Sequence, residues 1–241
     1  MKYLILLLFI VSASLFSQEG EIVYGINLNL TIEKINERVK KSKRKLNQEV
    51  ITTLKKMVLN SREIEGVLLF SNMISNYEIN ESVKNEGVKG VSFIKNDAGG
   101  NNFYHTSLLL QKNKQENCEI LEACYVVENE KPIWELTQET KYIGGYLCYK
   151  AIQSNSKNKI KKPIAWYTNE IPLGYGPVEF YGLPGLILEL EKSTITFKAK
   201  KIVFNSKNKI KIRELKGKEV TKKEFKSLLI KAFPDFYNYK K

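Results

Sequence analysis

The 241-residue chain carries 39 basic and 26 acidic residues, a net charge of +13, with a single histidine and three cysteines. One histidine cannot build a His-rich zinc site, and cysteines without Cys-x-x-C spacing offer neither zinc ligands nor a thioredoxin-like redox pair. No metal and no cofactor is therefore expected.

Residues 1–17 read as a secretory signal peptide. Lys2 supplies the positive start, Leu4 to Val11 the apolar stretch, and Ser12, Ala13, Ser14 and Ser17 the small residues before Gln18. The apolar stretch is shorter than the about 20 residues a bilayer-spanning helix needs. No second apolar run follows, so the mature chain is expected to have no transmembrane segment. Residues 18–241 are expected to form one domain, and cleavage leaves them 38 basic against 26 acidic residues. In an exported chain this excess does not point to nucleic acid. It reads as Lys- and Asn-rich solvated faces, with an anionic membrane surface as the alternative counterpart. An oxidising compartment permits a disulfide.

Glu19 to Leu30 alternates apolar and polar residues, the signature of a half-buried strand. From Thr31, a predicted N-cap, the period changes. Ile32, Ile35, Val39, Leu46, Val50, Leu54 and Met57 recur at helical spacing, predicting one long amphipathic helix to Leu59 with a basic cluster from Arg38 to Lys45. Strands are then expected at 67–70, 75–80, 102–111, 118–128, 132–136, 143–153, 160–168, 186–190, 193–205 and 210–215. The stretch 80–101 reads as a variable loop. Thr221 to Glu224 is a capping-box pattern opening a short C-terminal helix that stops near Pro234. The repeated run Asn155–Lys161 and Asn205–Lys211 predicts two hairpin tips. The expected fold is mainly β: a curved antiparallel sheet or half-barrel, with the long N-terminal helix packed on it and the short C-terminal helix at an edge.

No catalytic constellation is visible. His105 has no G-x-S-x-G partner, and the glycine pairs lack a phosphate-loop pattern. The distinctive region is aromatic and proline-rich. Trp134, Trp166 and Tyr167 lie at strand ends, and Pro172, Gly182, Leu183, Pro184 and Gly185 form a stiff loop. Pro184-Gly185 suits the centre of a type II turn. Such a loop either braces a sheet or shapes a pocket, and these eight residues are the candidate ligand-binding set. The ligand expected there is a lipid, a peptide or an envelope protein. The alternative is a hydrolase of peptide or cell-wall material using Glu135, Glu139 or Glu170, which requires the carboxylates to meet. Cys118 and Cys124 would stand about 20 Å apart along a regular strand. A bridge would then join Cys148 to one of them, Cys124 being the better placed by a hairpin, and the other arrangement left open is three free thiols.

Two blocks carry a family resemblance. The run Ile133-Trp134-Glu135-Leu136-Thr137 through Gly145-Tyr146-x-Cys148-x-Lys150-Ala151 is the first. The second is Ala165-Trp166-Tyr167-Thr168-x-Glu170-Ile171-Pro172 through Gly182-Leu183-Pro184-Gly185-Leu186-Ile187. Together they resemble the GLPGLI proteins. The Gly-Arg pair usual before the second block is replaced here by Lys161, Lys162 and Pro163. The resemblance implies an exported protein of the periplasm or envelope of a Gram-negative bacterium, and implies no activity.

Overall fold

The computed structural model describes residues 19–42, 47–80, 89–158, 161–205 and 209–235. The expected signal peptide and the basic residues Lys43, Arg44 and Lys45 lie outside them. The chain is mainly β. Twelve strands form one open sheet: β1 (Glu19–Leu28), β2 (Ile64–Ser71), β3 (Ile74–Ile79), β4 (Phe103–Ser107), β5 (Lys112–Asn117), β6 (Tyr125–Glu128), β7 (Trp134–Ile143), β8 (Tyr146–Gln153), β9 (Ile164–Thr168), β10 (Leu186–Glu191), β11 (Ile195–Phe204) and β12 (Lys218–Val220). Their order is β12-β6-β5-β4-β3-β2-β1-β11-β10-β9-β8-β7. Every pair is antiparallel except β12 with β6.

This order forces curvature. The strands β6 and β7 are ten positions apart, which is about 48 Å across a flat sheet at 4.8 Å per strand. Yet Glu128 and Trp134 are consecutive strand ends, and their connection can reach at most about 21 Å. The sheet must roll until its two ends approach, leaving a seam between β7 and the β6–β12 end.

Four helices accompany the sheet: α1 (Ile32–Lys41), α2 (Gln48–Leu59), α3 (Lys89–Asp97) and α4 (Lys222–Ala232). The single long helix expected from Thr31 to Leu59 is instead two. Thr31 caps α1 as predicted, accepting from Lys34 N. Ser42 ends α1, and the Asn47 side chain opens α2 by accepting from Glu49 N at 2.8 Å. The apolar period runs through this break because each helix is separately amphipathic, α1 burying Ile35 and α2 burying Ile51. Neither belongs to the main core. The helix that does is α3, inside the expected variable loop, through Val91 and Ile94, with Ala98 just after it. Two further expectations are corrected. Residues 118–124 are not a strand but a loop between β5 and β6, closed by a Cys118–Cys124 disulfide with Cα atoms 4.0 Å apart. The Cys124–Cys148 bridge does not form, and Cys148 is a buried free thiol. The 20 Å separation assumed an extended chain, whereas Asn117 pairs with Tyr125 and holds the flanking cysteines side by side.

Register separates the two faces. The inner face carries Ile22, Leu68, Tyr77 and Tyr104 in cross-strand succession, and Ile26, Phe197, Leu190, Ala165 and Ala151 further along. At one end α3 covers this face, with Tyr77 donating to Ala98 O. At the other, residues 171–185 do. Of the first echo run the described residues 155–158 and 161 lie between β8 and β9, with 159–160 outside the described residues; in the second, 206–208 lie outside them, and the strand expected at 210–215 does not form. Residues 209–216 instead cross the outer face as a strap to reach β12.

Candidate functional site

The proline-rich loop is an alternating device. Ile171, Leu173, Tyr175, Val178, Phe180, Tyr181 and Leu183 are buried, while Pro172, Gly182 and Pro184 face solvent. It folds back on itself, with Gly182 N donating to Gly174 O and Ile187 N to Tyr175 O. The positive φ that the turn needs falls at Gly182 (+86°), not at Gly185 as a Pro184-Gly185 type II turn would demand. Gly185 has another role. A Cβ there would sit 1.9 Å from Thr168 O, so the loop lies against the end of β9 closer than any side chain allows.

This loop plugs the rolled sheet. Tyr175 packs on Phe70 with ring centroids 5.7 Å apart. Val178 O accepts from Asn113 Nδ2 on β5 at 3.1 Å, and the Tyr181 hydroxyl donates to Gln111 O. From the other side Trp134 on β7 donates its Nε1 to Tyr181 O at 2.9 Å and lies against Phe180. Tyr24 donates to Ile187 O at 2.8 Å, where a bulge in β10 frees that carbonyl from the ladder. Burial drives the Tyr24 hydroxyl far above its ordinary pKa, so it remains a donor.

The structure does not gather the eight candidate residues. Trp134 shares the inner face with Ala151, and Ala151 pairs with Ala165, so Trp166 points to the outer face. There its Nε1 donates to Glu191 Oε1, and Lys141 Nζ lies 4.2 Å from the ring centroid while bonding Glu189 at 2.6 Å. Tyr167 is buried on β9 with its ring 6.0 Å from that of Tyr149, Leu183 and Gly185 are buried in the loop, and Pro172, Gly182 and Pro184 form its exposed side. Cys148 is fully buried beside Lys141. Burial pushes its thiol up to about 11 against the pull of the Lys141 charge, so it stays protonated and unreactive. The three carboxylates of the hydrolase alternative are exposed. Glu139 pairs with Lys150 and Glu170 accepts from Leu147 N, so these two are held by separate partners.

The strand expected at 132–136 is longer than its apolar pattern predicts: β7 continues to Ile143 as an edge strand of the sheet. Thr140, Tyr142 and the Gly144-Gly145 turn, both glycines at positive φ, were the available hairpin signal. Along β7 the inner-face positions Leu136, Thr140 and Tyr142 reach beyond the plug. Leu136 is 55% and Tyr142 74% exposed. Between them β7 carries two extra residues, since Leu136 pairs with Ala151 and Thr140 with Tyr149. The opposite edge, β12, is three residues long and begins Lys-Glu.

Residues 153–189 match the model of a family described as "Protein of unknown function (Porph_ging)", a span covering the end of β8, β9, the plug loop and most of β10. No curated protein matches the chain. Among solved structures the chain is similar to the one described as "Structure of PNGF-II in C2 space group", at 16% identity with a TM-score of 0.53, over 90% of this chain and 33% of that one. It is equally similar to "Structure of PNGF-II in P21 space group", at 16% identity and a TM-score of 0.53, over 90% of this chain and 34% of that one. The chain thus spans about a third of the length of these structures, and the likeness is one of fold.

Proposed function

We propose that the chain is an exported, non-enzymatic binding or assembly factor of the cell envelope, taking an extended polypeptide as an added strand along β7. The observation that carries this reading is the seam. The sheet is rolled far enough for one short connection to join β6 to β7, yet among the described residues no strand pairs with the outer side of β7. An incoming strand gains main-chain hydrogen bonds along that edge, while its alternate side chains meet Leu136 and Tyr142. The bulge at 137–139 divides the edge into Trp134–Leu136 and Thr140–Ile143. It disfavours indiscriminate edge-to-edge aggregation and selects a partner that follows the kink. A ligand on the inner face, the simpler expectation, competes with the plug that already fills it. We also read the chain as one of the GLPGLI proteins, supported by the Gly182–Ile187 motif lying within the matched stretch.

The test is native mass spectrometry of the protein purified from the envelope, beside a Leu136→Lys/Tyr142→Lys variant. Both side chains are exposed, so the variant folds. The expected result is a co-purifying polypeptide on the parent that the variant loses. A parent without any bound polypeptide, or a variant that retains it, sinks the reading.

A further inference from the structure

The α1–α2 pair stands outside everything described so far. Its two buried residues, Ile35 and Ile51, belong to α1 and α2 and not to the main core. Between the helices lies an open crevice of about 220 Å³ lined by Ile35, Val39, Val50, Leu54 and the stem of Arg38. Val50, which lines the crevice, remains 54% exposed, so its apolar surface is open to solvent. Around it the charge is one-sided. Among the described residues of 31–60, Lys34, Arg38, Lys40, Lys41, Lys55 and Lys56 stand against Glu33, Glu37 and Glu49. One of those acids, Glu37, already faces Lys41 at 3.8 Å, and Arg38 and Lys40 are exposed.

We infer that the α1–α2 hairpin docks on the surface of an anionic phospholipid bilayer. Two short helices that carry exposed Lys and Arg, with an apolar crevice between them, have the build of elements that lie in the membrane interface. The apolar residues enter the boundary of the acyl chains, and Arg38, Lys40 and their neighbours meet phosphates. A second copy of the chain suits the crevice poorly, because symmetric pairing would set two net-positive hairpins against each other. No helix among the described residues is long and apolar enough to cross a membrane, so the attachment is peripheral. This inference is independent of strand addition at β7, on another part of the fold.

The experiment is co-sedimentation of the mature protein with vesicles of phosphatidylcholine containing phosphatidylglycerol, against vesicles of phosphatidylcholine alone. Binding is expected only to the anionic vesicles and is reversed by high salt. Arg38→Gln with Lys40→Gln lowers the affinity about fivefold for each charge removed. Val50→Asn, at an exposed site, weakens it by about tenfold through lost apolar contact. Lys157→Gln with Lys161→Gln removes the same charge from the β8–β9 loop and changes binding less than about twofold. Equal loss in the two double variants would assign the binding to overall charge and overturn the inference. So would binding to neutral vesicles alone, no binding at all, or self-association abolished by Val50→Asn without vesicle binding.

Discussion

Substituting Gly185 by alanine tests why the loop motif needs glycine there. The residue is buried, and its backbone is not in the positive-φ region, so conformational freedom is not the reason. A Cβ would lie 1.9 Å from Thr168 O, 2.6 Å from Thr168 C and 3.1 Å from Asn169 N. The contact must open by about 1.5 Å to reach an ordinary van der Waals separation. All three atoms are main chain, so no rotamer change relieves the clash. The movement instead disturbs the pairing of Leu186 with Thr168 that starts β10. Overpacking costs about 1–3 kcal/mol, and this geometry belongs at the upper end, about 3 kcal/mol. With an m-value of about 3 kcal/mol per molar urea, Gly185→Ala lowers the unfolding midpoint by about 1 M. Gly144→Ala is the comparison. Gly144 has φ +59° and no atom within 4 Å of a built Cβ, so only the left-handed backbone cost of about 1 kcal/mol applies. If Gly185→Ala costs no more than Gly144→Ala in the urea titration, the close-approach argument is wrong.

Three further outcomes follow from the same structure. Tyr24→Phe removes the donor to the bulge carbonyl Ile187 O and should cost about 1–3 kcal/mol by denaturant titration, with an unchanged fold by circular dichroism; a neutral substitution would mean that this carbonyl finds another donor. Thiol titration of the denatured, unreduced protein should find one reactive thiol, Cys148, and three after reduction, and opening the Cys118–Cys124 loop should cost about 2 kcal/mol. The last concerns acid. Burial alone would raise the Glu116 carboxyl, but the Lys216 N–H, the Arg213 guanidinium at 2.8 Å and the Gly217 N–H outweigh it and hold it below its usual value. A carboxyl lowered on folding stabilises fully above its unfolded pKa of about 4.3 and loses that contribution as pH falls through the lower folded value. Parent protein should therefore show an acid-side loss of stability that Glu116→Gln lacks, read as unfolding midpoint against pH.

Much of the sheet was legible because alternation survives wherever one strand face is buried, as in β1 and β2. The strand β5 was not, since Lys-Asn-Lys-Gln-Glu-Asn contains no apolar residue. Its buried positions are Asn113, Glu116 and Asn117, whose polar groups are satisfied by Thr106, Val178 O, Arg213 and Asn102, partners that only the folded chain supplies. The helix α3 was masked by a charged, glycine-bearing sequence with a weak period. The loop motif was readable as stiff, with Pro172 and Pro184 named for the right constraint. Its role as the plug depends on a sheet whose curvature comes from strand order, and no local pattern encodes that order. The two tryptophans illustrate the same limit. Both end strands in the sequence, but one register step decides the face, and it sends Trp166 outward and Trp134 inward.

The position of β1 has a consequence for how such a chain assembles. Strands β1 to β6 form one consecutive meander and β7 to β11 another, each buildable from neighbours in the sequence. Among the described residues their strands pair with each other only where β1 meets β11, over a register running from Gly20–Phe204 to Leu28–Ile195. A chain made from its N-terminus therefore holds the first meander with one flank of β1 bare until β11, far along the sequence, follows. That is a long-range closure of the kind that slows folding and leaves a strand edge open to strangers. Until β11 pairs, that bare flank of β1 is the place where a folding chain is most open to mispairing, and the β1–β11 ladder is what closes it.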